Sequence, residues 1–306
     1  MPGPMTGLIP APHTPFHADG SLNLDAIALQ AELFRECGLD TVFAGGTTGE
    51  WSSMTLDERR AVAERWREVG GDTLKVVLHV GANCQADAVA LAAHAREIGV
   101  AAVSAVAPGY FKPTRIVDLV DFWEPIAAAA APLPFYIYDF PGMTGVSLPM
   151  SQVIREARPR IPNLVGLKFT NSDFVEIQQC IRLDDGAYGV LLGFDECYLV
   201  GLALGMTGSV GNTYNYASPI FRRIDAAFAK GDFEAARREQ RIAVDMVKVL
   251  QEFGFQAASK AVMGMLGVDC GPVRPPVRNL TRAETLSLWE KLSPLDAFPR
   301  PLRKPE

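Results

Sequence analysis

The chain has 306 residues, 48% of them apolar and 21% charged, enough for a sizeable core in one large α/β domain or two ordinary ones. A net charge of -6, with no basic run or basic helix face, argues against a nucleic-acid partner. No early segment joins a basic stretch to a long apolar core, and no run reaches the roughly 18 apolar residues of a membrane helix, so neither export nor a membrane span is expected.

Short apolar runs alternate with helical patterns along the chain. Residues 6–10 read as a strand, 24–37 as a helix stopped by Gly38, and 40–44 as a second strand running into Gly45-Gly46-Thr47-Thr48-Gly49-Glu50. A charged helix at 56–69, a strand at 74–80, a helix at 86–98 and a strand at 101–107 follow. Next come an alanine-rich helix at 114–131, halted by Pro132, a strand ending at Tyr138, a helix at 150–157 and a strand ending at Lys168. Residues 173–182 and 196–204 are helical, 188–192 and 206–210 are strands. Eight such alternations with apolar strands predict a parallel sheet buried on both faces, closed as a (β/α)₈ barrel; no nucleotide fingerprint follows the first strand. Helical patterns near 217–230, 233–252, 256–266 and 281–293 predict a barrel over 1–216 and a helical extension over 217–306 packed on it, with no low-complexity linker between.

Lys168 is the odd residue. An ammonium at the end of an apolar strand costs free energy unless something compensates or uses it, and a lysine partly removed from water can lose its proton and attack a carbonyl carbon. Tyr138, on the preceding strand, could move protons beside it. The plain alternative is a lysine that snorkels to the surface and a tyrosine packed at the rim.

In a barrel, function collects at the carboxyl ends of the strands, and the other unusual residues fall there. After the second strand, the glycine-rich turn with Thr47 and Thr48 suits a small carboxylate; otherwise Thr48 and Glu50 would help the next helix begin. Tyr110 follows the fourth strand. Asp195 and Glu196 follow the seventh, where an aspartate before a helix would ordinarily be an N-cap. The stretch 208–213, with Gly211 and Asn212, is a second glycine-rich mouth after the eighth. Each signal is weak singly; their shared location is not. The five scattered cysteines read as reduced thiols of a cytoplasmic protein, and the four histidines form no metal spacing, so no metal is expected.

At these residues the chain resembles the pyruvate-dependent class I aldolases, the family of dihydrodipicolinate synthase and N-acetylneuraminate lyase. The resemblance runs from Gly7 to the Gly-Pro-Val-Arg-Pro-Pro segment at 271–276. It is carried by G-T-T-G-E at 46–50, Y-x-x-P at 138–141 and G-L-K-x-T at 166–170. His79-Val80-Gly81, Gly142-Met143-Thr144-Gly145-Val146 and Gly193-Phe194-Asp195-Glu196 look like the lyase branch. The synthase branch carries an arginine shortly after Y-x-x-P, and 142–146 has none.

The resemblance implies an imine between Lys168 and a 2-oxo group, with Tyr138 shuttling protons to and from the C4 hydroxyl and no other cofactor. Thr47 and Thr48 would hold the pyruvyl carboxylate, and Asp195 and Glu196 the sugar hydroxyls, with Thr170, Gly193, Gly211 and Asn212 along the same groove. Tyr110 would reach a neighbouring subunit's site in a homotetramer. The implied reaction is reversible cleavage of N-acetylneuraminate to N-acetylmannosamine and pyruvate. The alternatives are action on another 2-oxo-3-deoxy sugar acid, dihydrodipicolinate synthesis, or sugar-acid binding without catalysis. Two residues depart from the lyase pattern, Asp139 and Asn212. A carboxylate at 139 adds negative charge near the site, which could raise the pKa of Lys168 or alter the electrostatics seen by an anionic substrate.

Overall fold

The computed structural model describes residues 4–305. Eight parallel strands run β1 (Gly7–Pro10), β2 (Thr41–Ala44), β3 (Lys75–His79), β4 (Ala102–Val106), β5 (Phe135–Asp139), β6 (Leu164–Phe169), β7 (Gly189–Leu192) and β8 (Gly208–Gly211). They are hydrogen-bonded in the order β1-β8-β7-β6-β5-β4-β3-β2, and β1 lies against β2 to bring the two ends together. The result is a (β/α)₈ barrel with further helices at its C-terminal end, as the alternation predicts.

Strand periodicity divides the core in two. Phe43, Val77, Tyr136, Tyr138, Leu191 and Val210 form the cluster inside the barrel, while Phe135, Ile137, Leu167 and Phe169 belong to the larger cluster between sheet and helices. Each such side chain, fully buried, contributes about 1.5–3 kcal/mol. Gly166 is needed where it stands: a Cβ there would fall 2.5 Å from the Tyr136 ring and 2.4 Å from the Gly189 carbonyl oxygen.

Two boundaries move from their expected positions for identifiable reasons. The eighth strand begins at Gly208 rather than 206, because left-handed Gly205 (φ 87°) ends the preceding helix and the Met206 N–H is spent on the Gly201 carbonyl at 3.0 Å. The helix expected from 217 spans Tyr214–Ala229, since the Thr213 carbonyl already accepts from the Tyr216 and Ala217 amides; Ala217 kinks two residues before Pro219. Glu50 opens only a short 3₁₀ turn, Trp51–Ser53, through its backbone carbonyl, and its side chain caps nothing there. Thr55 caps Leu56–Gly70 in a reciprocal box with Glu58, leaving the glycine-rich loop free of that duty.

Of the remaining tail helices, Phe233–Glu252 packs against Tyr214–Ala229 and Tyr198–Leu204, Phe255–Met265 against Tyr214–Ala229 and Phe233–Glu252, and Arg282–Leu292 against Phe233–Glu252 and Phe255–Met265. Among the described residues no helix is long and apolar enough to cross a membrane.

Candidate active site

Parallel pairing of β5 with β6 puts Tyr138 opposite Lys168, on one level of the barrel interior. Both side chains are buried, at 2% and 4% exposure, so neither the surface lysine nor the rim tyrosine is what the fold makes. Lys168 Nζ stands 4.1 Å from the Tyr138 ring centre and 4.2 Å from that of Phe43. Aromatic faces stabilise an ammonium only modestly, far less than the water they exclude. Burial therefore pulls the Lys168 pKa down to about 7, with the Asp195 carboxylate opposing the fall. Burial likewise pushes the Tyr138 phenol up to about 12, against its contact with Thr47. An amine and a phenol, both uncharged in a substantial fraction near neutrality, face one small space.

Thr47 Oγ1 lies 3.2 Å from Tyr138 Oη, and either hydroxyl can donate. Thr48 is buried beside it; its hydroxyl accepts from Asn212 Nδ2 at 3.3 Å and its carbonyl from Gln256 Nε2 at 2.6 Å. The loop carrying both threonines is held further by Thr14, whose hydroxyl donates to the Gly49 carbonyl at 2.7 Å, and by His79, whose Nδ1 lies 3.0 Å from the Gly45 carbonyl. Burial keeps His79 well below its usual pKa, so its ring is neutral and Nδ1 donates.

Asp195 is not a helix N-cap. Its Oδ2 accepts from the Thr213 amide at 2.7 Å and the Thr213 hydroxyl at 2.6 Å, and no side-chain cap bond reaches the helix that follows. Burial raises its pKa to about 6, Thr213 opposing. Gly211 makes this approach possible, since a Cβ there would fall 1.9 Å from Asp195 Oδ1. Gly193 does the same for Thr170, whose Oγ1 a Cβ would meet at 1.8 Å. Thr170 Oγ1 is buried and lies toward the Tyr138 phenol, whose rise in pKa it opposes together with Thr47.

The strand ends thus bring Lys168, Tyr138, Thr47, Thr48, Thr170, Gly193, Asp195, Gly211 and Asn212 to one end of the barrel. Asn212 is already engaged: its amide donates to Thr48 and its carbonyl accepts from Tyr216 at 2.8 Å. Glu196 is half-buried. Tyr110 is 77% exposed and touches the Phe111 ring, outside this cluster in a single chain. Asp139 corrects the expectation for Lys168 only, since its charge does act on the site by raising the Tyr138 pKa. Its carboxylate accepts from Asn171 Nδ2 at 3.0 Å, burial lifts its pKa to about 7, and the carboxylate acting on Lys168 is Asp195 instead. Strand alternation explains it: with Tyr138 inside the barrel, the next side chain faces the other way.

Several contributors are invisible in sequence. Gln240 and Gln256 sit in unremarkable helical contexts, yet Gln240 Nε2 donates to the Glu196 carbonyl at 3.0 Å and its Oε1 accepts from the Leu199 amide at 2.8 Å. Among the described residues no group of three or more His, Cys, Asp or Glu side chains is placed to hold a metal ion.

Comparison with known proteins gives a consistent result. The Dihydrodipicolinate synthetase family pattern matches residues 4–294. The chain is 36% identical over 297 residues to an N-acetylneuraminate lyase of Pongo abelii, covering 95% of this chain and 93% of that one. The structure of Proteus mirabilis N-acetylneuraminate lyase aligns with a TM-score of 0.95 at 36% identity, covering 97% of this chain and 100% of the other. A Ruminococcus gnavus sialic acid aldolase, solved as a catalytic lysine mutant, aligns at 0.89 with 26% identity and 94% of each chain.

Proposed function

Because the chain belongs to the dihydrodipicolinate synthetase family, we propose that it is a Schiff-base aldolase cleaving N-acetylneuraminate reversibly to N-acetylmannosamine and pyruvate. The observation that carries this reading is Lys168, buried opposite Tyr138 with its pKa drawn down to about 7. An amine of that basicity is available as a nucleophile without strong base.

Lys168 Nζ attacks the C2 ketone of the open-chain sugar acid, and loss of water gives a protonated imine. Tyr138, having supplied the proton of that imine and so become a phenolate, takes one from the C4 hydroxyl through Thr47. The C3–C4 bond then breaks, its electron pair drawn into the imine as an enamine, and the aldehyde of N-acetylmannosamine departs. Protonation of the enamine at C3 and attack of water on the imine release pyruvate, returning the water lost at the start. Thr47 and Thr48 hold the carboxylate of the 2-oxo acid. Asp195 and Glu196 accept from the hydroxyls of the tail, for which carboxylates are suited and a second anionic substrate is not. Thr170, Gly193, Gly211 and Asn212 line the groove between.

The reading extends to a cytoplasmic homotetramer in which Tyr110 reaches a neighbouring copy's site. Five free cysteines fit a reducing compartment, and the exposed Tyr110–Phe111 pair fits a partner surface.

The test is intact-mass analysis after mixing the protein with N-acetylneuraminate and borohydride, pyruvate alone serving as control. A reduced pyruvyl adduct from the sialic acid sample is expected, because it requires imine formation and C3–C4 cleavage together. An adduct from pyruvate only would retain the aldolase and exclude this substrate. No adduct in either would end the imine reading.

A further inference from the structure

A second buried lysine sits behind the threonine loop. Lys260, on the helix Phe255–Met265, is 3% exposed, and its Nζ lies 2.8 Å from Glu50 Oε1. The same nitrogen donates to the Pro272 carbonyl at 2.8 Å and stands 4.4 Å from the Phe16 ring centre. The other carboxylate oxygen of Glu50 accepts from the Arg274 amide at 2.9 Å. Neither Lys260 nor Glu50 has a part in the reaction as derived above.

Glu50 closes the loop that carries Thr47 and Thr48, and its backbone is left-handed at φ 55°. A residue with a side chain keeps such a conformation only where its surroundings over-determine it, and here the ion pair and the Arg274 amide are those surroundings. The loop is short and tied to itself: the Glu50 amide donates to the Thr47 carbonyl at 3.0 Å, and the Trp51 amide to that of Gly46 at 3.4 Å. Where Glu50 is anchored, the two threonines follow. Gln256, one helical turn before Lys260 and on the same face, supplies the bond to the Thr48 carbonyl. An ion pair serving stability alone has no reason to terminate on the one strained residue of this loop.

We infer that Lys260 is a positioning residue: through Glu50 it fixes the Thr47–Thr48 corner that receives the carboxylate of the 2-oxo acid, and so sets the affinity for pyruvate from outside the site. The inference rests on the pyruvyl-imine reading of that corner. Misplacing a binding group by about 1 Å is enough for large losses, so the clamp has a measurable signature.

The experiment is reductive trapping of pyruvate on the full-length protein, reading the pyruvate concentration that gives half the maximal trapping rate. The Lys260→Met and Glu50→Gln variants are expected to raise that concentration roughly tenfold or more, while still reaching full labelling at saturation. Lys260→Arg, which can keep the pair, is expected to stay near wild type. The double variant E50Q/K260M is expected to be no worse than either single one, as two members of one device should be. A folded Lys260→Met protein with a lowered melting temperature and an unchanged half-saturation would overturn the inference and leave the pair a plain stabiliser. Should Lys260→Met fail to fold, the double variant, free of the stranded charge, carries the same two outcomes. No adduct on the wild-type protein would instead overturn the pyruvate reading, and the clamp with it.

Discussion

Lys168 and Lys260 are both nearly inaccessible, and the surroundings put them to opposite uses. Lys168 is given aromatic faces, with its nearest ionised influence, Asp195, too weak to offset burial. Lys260 is given a carboxylate at 2.8 Å and a carbonyl at 2.8 Å. Burial lowers the pKa of each, but only Lys260 has a directly paired counter-charge opposing it. A buried ammonium without a partner becomes a reactive amine; one with a partner becomes a fastener. Stability is surrendered at the first site for chemistry and recovered at the second for geometry.

This contrast can be broken at several points. Replacing Lys168 by Met should abolish pyruvate release, by a factor on the order of 10⁴ or more, while raising the melting temperature, because an uncompensated buried cation is gone; pyruvate assays and calorimetry read the two effects. Tyr138→Phe should keep the imine but cost about 10²–10⁴ in turnover, visible as intact adduct formation with slow cleavage. Lys260→Met should do the reverse of Lys168→Met and destabilise the fold by about 3–5 kcal/mol, since Glu50 is left buried and unpaired, with much of the loss restored by adding Glu50→Gln; chemical denaturation measures it.

The smallest expected effect is on pH dependence. Adduct formation with pyruvate should rise as pH increases through about 7, where Lys168 loses its proton. The Asp195 carboxylate holds that pKa up, so Asp195→Asn should move the rise to lower pH. A shift to higher pH, or none, would detach Asp195 from Lys168.

Much of this was legible before folding was considered. Strand and helix alternation follows from period, glycines and prolines, and the boundaries that moved did so where a local carbonyl was already taken, as at Met206 and Tyr214. Lys168 was legible because a charge inside an apolar run is costly anywhere. Lys260 was not, because in the pattern Gln256-Ala257-Ala258-Ser259-Lys260 it reads as the polar face of an amphipathic helix. Asp139 misled in part for a related reason: as the next residue on the strand it faces away from Lys168, though its charge still acts on Tyr138.

By itself, then, the order of residues determined which elements form and which strand ends carry unusual side chains, since periodicity, turn chemistry and the cost of a misplaced charge are local properties. Only the tertiary structure decided what those side chains meet. It put Tyr138 level with Lys168, made Asp195 the carboxylate that lysine senses, and brought Lys260 across from a helix 210 positions after Glu50. Burial and pairing are relations between segments, and closing the barrel and seating the last helices on it is what creates them.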